Sequence, residues 1–194
     1  MKAFKGIVSV PDPVAVFPLN SKYQTREIKN RVPQGVAVGV SLADGPEGNS
    51  GGSYMFAGNS LSYIEFPSNG ALAVQYSITM LCWVYYTGAS GPLFNYKKGN
   101  TAWGVHLLPL NQWSYVGSTY DYDTVIVRLW VDGRQTAQSS IGRVHLSTQD
   151  EVRMGAQDGD IRRFRGRIAA MQLYNVALTA EQINVLKKLM LAIS

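Results

Sequence analysis

Cysteine is almost missing from this chain of 194 residues. Cys82 stands alone, so no internal disulfide forms. A domain of this length buries enough surface to fold without a staple, and the lack of one leaves the compartment open. Histidine is scarce too: His106 and His145 stand apart, at no zinc-ligand spacing. Charged residues are only 16% against 46% hydrophobic, which excludes a disordered tail or linker. No apolar run is long enough to span a bilayer, so membrane insertion is not expected. No signal-peptide run follows Met1-Lys2, so an extracellular protein would be represented here without its signal. No N-x-[ST] glycosylation acceptor occurs.

Catalytic patterns are equally thin. Gly48-Asn49-Ser50-Gly51-Gly52 resembles the loop around the serine of trypsin-like proteases and also fits G-x-S-x-G. A nucleophilic serine needs a base in reach, and in the trypsin-like order the histidine precedes it, whereas here both histidines follow. The nucleophile elbow also needs a strand before and a helix after the serine. Here a Tyr-Met-Phe strand follows instead. Glycoside hydrolysis needs two carboxylates facing across a cleft. Asp150-Glu151 are adjacent, so on a strand they point to opposite faces. The expectation is a protein that is not an enzyme.

What the chain does have is turns and strand formers: 19 glycines and 11 tyrosines. Residues 1–13 read as an extended lead-in and 14–194 as one domain. The stretch 33–53 reads as a long loop with one short strand at 36–40. Ser77–Tyr86 is apolar on both faces, with Ile78, Met80, Cys82 and Val84 on one and Leu81, Trp83 and Tyr85 on the other. That predicts a central strand covered on both sides. Pro92–Tyr96, Trp103–Leu108 and Trp113–Thr119 read as further strands. Thr124–Val131 alternates and runs into Asp132-Gly133, a two-residue hairpin turn. Thr179 with Gln182 predicts a capping box, and Ile183, Leu186 and Met190 fall on one face of the helix that follows. The sum is an all-β fold: a two-sheet antiparallel sandwich with a short C-terminal helix.

The last quarter, from Val152 through "R-G-R-I-A-A-M-Q-L-Y-N-V-A-L-T-A-E-Q-I" to residue 183, resembles the closing segment of laminin-G-like and pentraxin-like domains, which are concanavalin A-like jelly rolls. F-A-G-N-S-L-S-Y-I-E-F-P, S-I-T-M-L-C-W-V-Y-Y, L-N-Q-W-S-Y-V-G-S-T-Y-D and V-R-L-W-V-D-G resemble other runs of the same family, in family order from about residue 55 to 185. The resemblance implies a jelly-roll β-sandwich that recognises rather than catalyses. Its expected partners are glycans, sulfated ones among them, or extracellular proteins, often with calcium. Fold alone does not choose a function. A structural or oligomerisation domain without its own ligand, and a carbohydrate-active enzyme, stand as alternatives. Self-association is left open.

Two groups of residues are singled out. Calcium wants several oxygen donors, and Gln157, Asp158 and Asp160 supply them in one glycine-softened loop. The pentraxin resemblance adds Asn100, after Leu93-Phe94-Asn95-Tyr96, although the aspartate of the family's Asp-Asn pair is not kept. The pentraxin disulfide is absent as well, since Cys82 has no partner. The net charge of +5 is partly local. On a strand Arg163, Arg165 and Arg167 share a face while Phe164 and Ile168 point inward. Their guanidinium forks suit sulfate or carboxylate, with Lys97 and Lys98 on the same rim. A solvated face that protects a sheet edge is the competing reading. Nucleic acid is not expected, because the cluster is short and lacks interleaved exposed aromatics.

Overall fold

The computed structural model describes residues 8–96, 108–157 and 161–194. It is a sandwich of two antiparallel sheets with one helix packed outside. The strands are β1 (Ala15–Phe17), β2 (Val36–Val38), β3 (Val40–Ala43), β4 (Ser53–Ala57), β5 (Tyr63–Phe66), β6 (Ile78–Ala89), β7 (Asn95–Tyr96), β8 (Trp113–Asp121), β9 (Ile126–Val131), β10 (Arg134–Ser140), β11 (Val152–Met154) and β12 (Arg165–Tyr174). The helix is α1 (Ala180–Leu191). The large sheet runs β10-β9-β8-β6-β12-β4-β3, with β1 also paired to β12. The small sheet runs β2-β5-β11-β7.

The two-sided apolar pattern of β6 has a direct cause. Ile78, Met80, Cys82 and Val84 face the space between the sheets, together with Phe56, Phe66, Met154, Phe164 and Ile168. Leu81 and Trp83 face outward into a second cluster with Tyr115, Trp130, Ala169 and the helix residues Ile183, Leu186 and Met190. Thr179 caps α1 and forms the capping box with Gln182. The β9–β10 turn is the expected hairpin, with Asp132 and Gly133 both at positive φ, 53° and 78°. The helix grips that turn: Asn184 Nδ2 donates to the Gly133 carbonyl and Lys187 Nζ pairs with Asp132.

Three readings need correction. In place of the single strand expected at 36–40 there are two in different sheets, β2 and β3. The chain crosses at Gly39, whose φ is +55° and where a Cβ would meet the Leu61 carbonyl oxygen. Strand β9 begins at Ile126, because Val125 is left-handed at φ 57°. Residues 92–96 contribute only the two-residue strand β7. The strand expected at 103–108 lies mostly outside the described residues.

Two features set the geometry of β12. A bulge between Ala169 and Gln172, with Ala170 at φ 49°, puts one extra residue on the outer face. Ile168, Met171 and Leu173 therefore all reach the inner core, while Gln172 and Tyr174 face the helix side. There Gln172, fully buried, donates to the Tyr115 hydroxyl and accepts from the Tyr174 hydroxyl. Burial raises the pKa of both tyrosines.

Glu27 seals the free edge of β1. Its fully buried carboxylate accepts from the backbone N–H of Val16, Lys29 and Arg31 and pairs with the Arg31 guanidinium at 3.0 Å. Burial pushes its pKa up, but these donors together outweigh burial and hold it below the ordinary glutamate range. A depressed folded value adds stability above the unfolded value and loses it as pH falls through the folded one. Acid unfolding scans should therefore show Glu27→Gln less stable than the parent at neutral pH, with the gap closing in acid. Leaving a buried donor unpaired costs about 1–3 kcal/mol, and each kcal/mol moves Tm by about 2–4 °C at this size. An unchanged Tm at neutral pH would contradict this role for Glu27.

Candidate functional site

The outer face of the large sheet is only partly covered. Facing residues on neighbouring strands share a face, so pairing registers define rows across it. One row is Ala169, Trp83 and Tyr115, and it lies in the cluster formed with α1. The next row toward the start of β12 is Ser41, Met55, Arg167, Tyr85 and Trp113. There Met55, Arg167, Tyr85 and Trp113 are half-buried and Arg165 is exposed.

This second row combines cations with rings. The Arg167 guanidinium carbon sits 4.9 Å from the centre of the Tyr85 ring. Tyr85 meets Trp113 edge to face, with centroids 5.6 Å apart. Arg167 Nη1 donates to the Asp44 carbonyl at 3.2 Å, while its Nε is buried without a hydrogen-bond partner. Arg165 borders a depression lined by Met55, Ala57, Thr87 and Asn111, and Thr87 Oγ1 donates to the Arg165 carbonyl. Among the described residues neither Arg165 nor Arg167 has a carboxylate partner. Two guanidiniums, that of Arg167 packed over the Tyr85 ring, therefore stand without a counter-charge among the described residues.

Arg163 differs from its expected placement. Phe164 and Ile168 are buried as expected, but β12 starts at Arg165. Arg163 instead bridges to Ala156, and its Nη1 donates to the Arg162 carbonyl. It stands at the end of the strand rather than on it. Lys97 and Lys98 lie outside the described residues. So do Asn100, Asp158 and Asp160. Of the proposed calcium donors, Gln157 alone is described, half-buried just beyond β11. Among the described residues no three His, Cys, Asp or Glu side chains stand close enough to hold a metal.

Tyr85 and Trp113 were not assigned to the site from sequence, because they read as alternating strand residues. The available signal was their position on the face of β6 and β8 opposite the sandwich core. His145 stands apart from metal-ligand spacing in the sequence, but its ring has company in the fold. It stacks edge to face with Tyr76 and Tyr122, at centroid distances of 5.4 and 5.6 Å.

With this geometry in view, comparison identifies the architecture. Residues 92–184 match the family model described as the Concanavalin A-like lectin/glucanases superfamily. The fold is concanavalin A-like. No curated protein matches the chain. Among solved structures, this concanavalin A-like sandwich is similar to domain 4 of AbnA, a GH43 extracellular arabinanase from Geobacillus stearothermophilus, in complex with arabinotriose. That match has TM-score 0.73 and 17% identity, and covers 92% of this chain and 99% of that one. A Trypanosoma rangeli sialidase in complex with a difluoro sugar acid matches with TM-score 0.66 and 15% identity, over 93% of this chain and 34% of its own. A botulinum neurotoxin serotype D ligand-binding domain in complex with N-acetylneuraminic acid matches with TM-score 0.63 and 12% identity, over 91% and 50%. The chain thus spans nearly all of the arabinanase domain, half of the toxin domain and a third of the sialidase. At these identities the likeness is one of fold.

Cys82, in the inner core of this concanavalin A-like sandwich, is not part of any site. Burial pushes its thiol up to about 12, so almost no thiolate exists near neutral pH. A thiol-reactive chromophore should label it only after denaturation. Fast labelling of the folded protein would contradict the described core.

Proposed function

We propose that this chain is a non-catalytic saccharide-recognition module, acting outside the cell, that takes anionic glycans on the outer face of its large sheet. The observation that carries the proposal is the uncovered row of Arg165 and Arg167 beside Tyr85 and Trp113. Guanidinium forks donate paired hydrogen bonds to sulfate or carboxylate oxygens, and the adjoining rings offer flat apolar surface for a sugar ring. The concanavalin A-like fold supports a glycan-binding module. The arabinotriose and N-acetylneuraminic acid complexes of two similar structures point the same way. Among the described residues no helix is long and apolar enough to cross a membrane.

The test is retention on a heparin column across a salt gradient. Polyelectrolyte binding releases counterions, a relation measured for DNA and extended here by chemistry. The parent should be retained. The triple variant Arg163→Ala, Arg165→Ala, Arg167→Ala should elute earlier and with a flatter salt dependence. Arg→Lys at the same positions should also weaken retention, since lysine keeps the charge and loses the fork. Equal elution of parent and triple alanine variant would reduce the arginines to a solvated face.

Calcium assistance belongs to the same proposal and rests on donor chemistry alone: the carboxylates of Asp158 and Asp160 and the amides of Gln157 and Asn100. Binding to the native state raises apparent stability. Millimolar calcium should therefore raise Tm, and Asp158→Ala should abolish the rise. No shift in the parent would overturn calcium binding by these residues.

A further inference from the structure

At the other end of β6 from the arginine row, three loops bring four side chains together. Tyr76, Tyr122 and His145 meet edge to face in all three pairs, with Tyr76 and Tyr122 centroids 5.0 Å apart. The Tyr122 hydroxyl is hydrogen-bonded to His145 Nε2 at 3.0 Å. The Arg143 guanidinium lies 5.1 Å over the Tyr122 ring. Arg143 and His145 are exposed, and Tyr76 keeps 49% of its surface in solvent.

Aromatic rings left this open normally sit singly on a surface. These are clustered and held in place. The Leu146 N–H donates to the Gln75 carbonyl, next to His145 on one segment and Tyr76 on the other. The Val144 N–H donates to the Tyr120 hydroxyl. Thr148 Oγ1 accepts from the Val74 N–H and donates to the Val74 carbonyl. The Tyr122 N–H donates to Ser77 Oγ. The backbone around each ring is thus fixed before any ligand arrives, which removes part of the ordering cost of binding.

Charge narrows the ligand. Among the described residues Arg143 has no carboxylate partner. The neighbouring Asp121 carboxylate accepts from the backbone N–H of Asp123 and Thr124. The carboxylate that Arg143 lacks among the described residues is left for a ligand to bring.

We propose that Tyr76, Tyr122, Arg143 and His145 form a second saccharide site that takes a carboxylated sugar. The open face of Tyr76 receives the C–H face of the sugar ring. Arg143 receives its carboxylate through paired hydrogen bonds. His145 keeps Nδ1 for a hydroxyl, since Nε2 is engaged by Tyr122. The site rests on the saccharide-recognition reading above, but not on the arginine row. It lies seven strand residues away from that row along β6, about 23 Å at about 3.3 Å per residue. One short oligosaccharide would not fill both.

The test is titration of the isotopically labelled protein, followed by backbone and side-chain amide shifts, with three probes. Sialyllactose and digalacturonate carry the carboxylate on two different sugars, and lactose carries none. Either acidic probe should shift residues 74–77, 121–124 and 142–148 and bind more tightly than lactose. Arg143→Met and Tyr76→Ala should each weaken that binding about tenfold or more, the scale of one charge-assisted hydrogen bond. The Arg165→Ala, Arg167→Ala variant should leave it unchanged, and Arg143→Met should leave heparin retention unchanged. Undiminished binding in folded Arg143→Met overturns the site, as does lactose binding as tightly as the acidic probes. Failure of both acidic probes with heparin retention intact overturns this site alone. Loss of heparin retention by the parent as well removes the saccharide reading itself.

Discussion

Strand β12 is the member on which the rest of the molecule depends. It is hydrogen-bonded along both edges, to β6 on one side and to β4 and β1 on the other. It is also buried on both faces over most of its length. Ile168, Met171 and Leu173 close the inner core, while Ala169, Ala170 and Tyr174 form the floor under the helix. Its one buried amide side chain, Gln172, is satisfied by two tyrosine hydroxyls. The bulge at Ala170 lets a single strand serve both layers.

From this constraint follows the shape of the outer face. The chain leaves β12 at Tyr174 and is committed to a helix by the Thr179 cap only five residues later. So short a connection keeps α1 over the late part of β12 and the middle of β6. The early part of β12, with Arg165 and Arg167, stays open. The helix thus decides which of two aromatic rows is core and which is surface. Trp83 and Tyr115 are buried, whereas Tyr85 and Trp113, two residues away on the same strands and face, are half-exposed.

The sites at the two ends of β6 differ in how they are built. The arginine row stands on rigid strands, where register fixes the spacing of the guanidiniums. The Tyr76–Tyr122–His145–Arg143 cluster stands on loops, and its order comes from side chains that tie those loops together, chiefly Tyr120, Thr148 and Ser77. A module with both would read an extended polymer by charge at one end and an individual acidic sugar at the other.

Much of the fold was legible because it depends on local chemistry. The two-sided apolar run of β6, the left-handed Asp132-Gly133 turn and the Thr179–Gln182 capping box each follow from residue types within a few positions. The misread pieces broke a local rule for a distant reason. Residues 36–40 look like one strand until Gly39 lets the chain change sheets against Leu61, and the Ile168-Ala169-Ala170-Met171 run hides a bulge that shifts the alternation. The inward Phe164 and Ile168 and the outward Arg165 and Arg167 were set by strand alternation alone, so sequence determined which face the cations take. Whether that face is open was decided by where α1 docks. His145 and Tyr76, 69 positions apart in the chain, became neighbours only when the loops closed. Periodicity reports which way a side chain points relative to its own strand, but exposure and company depend on what the rest of the chain lays over it.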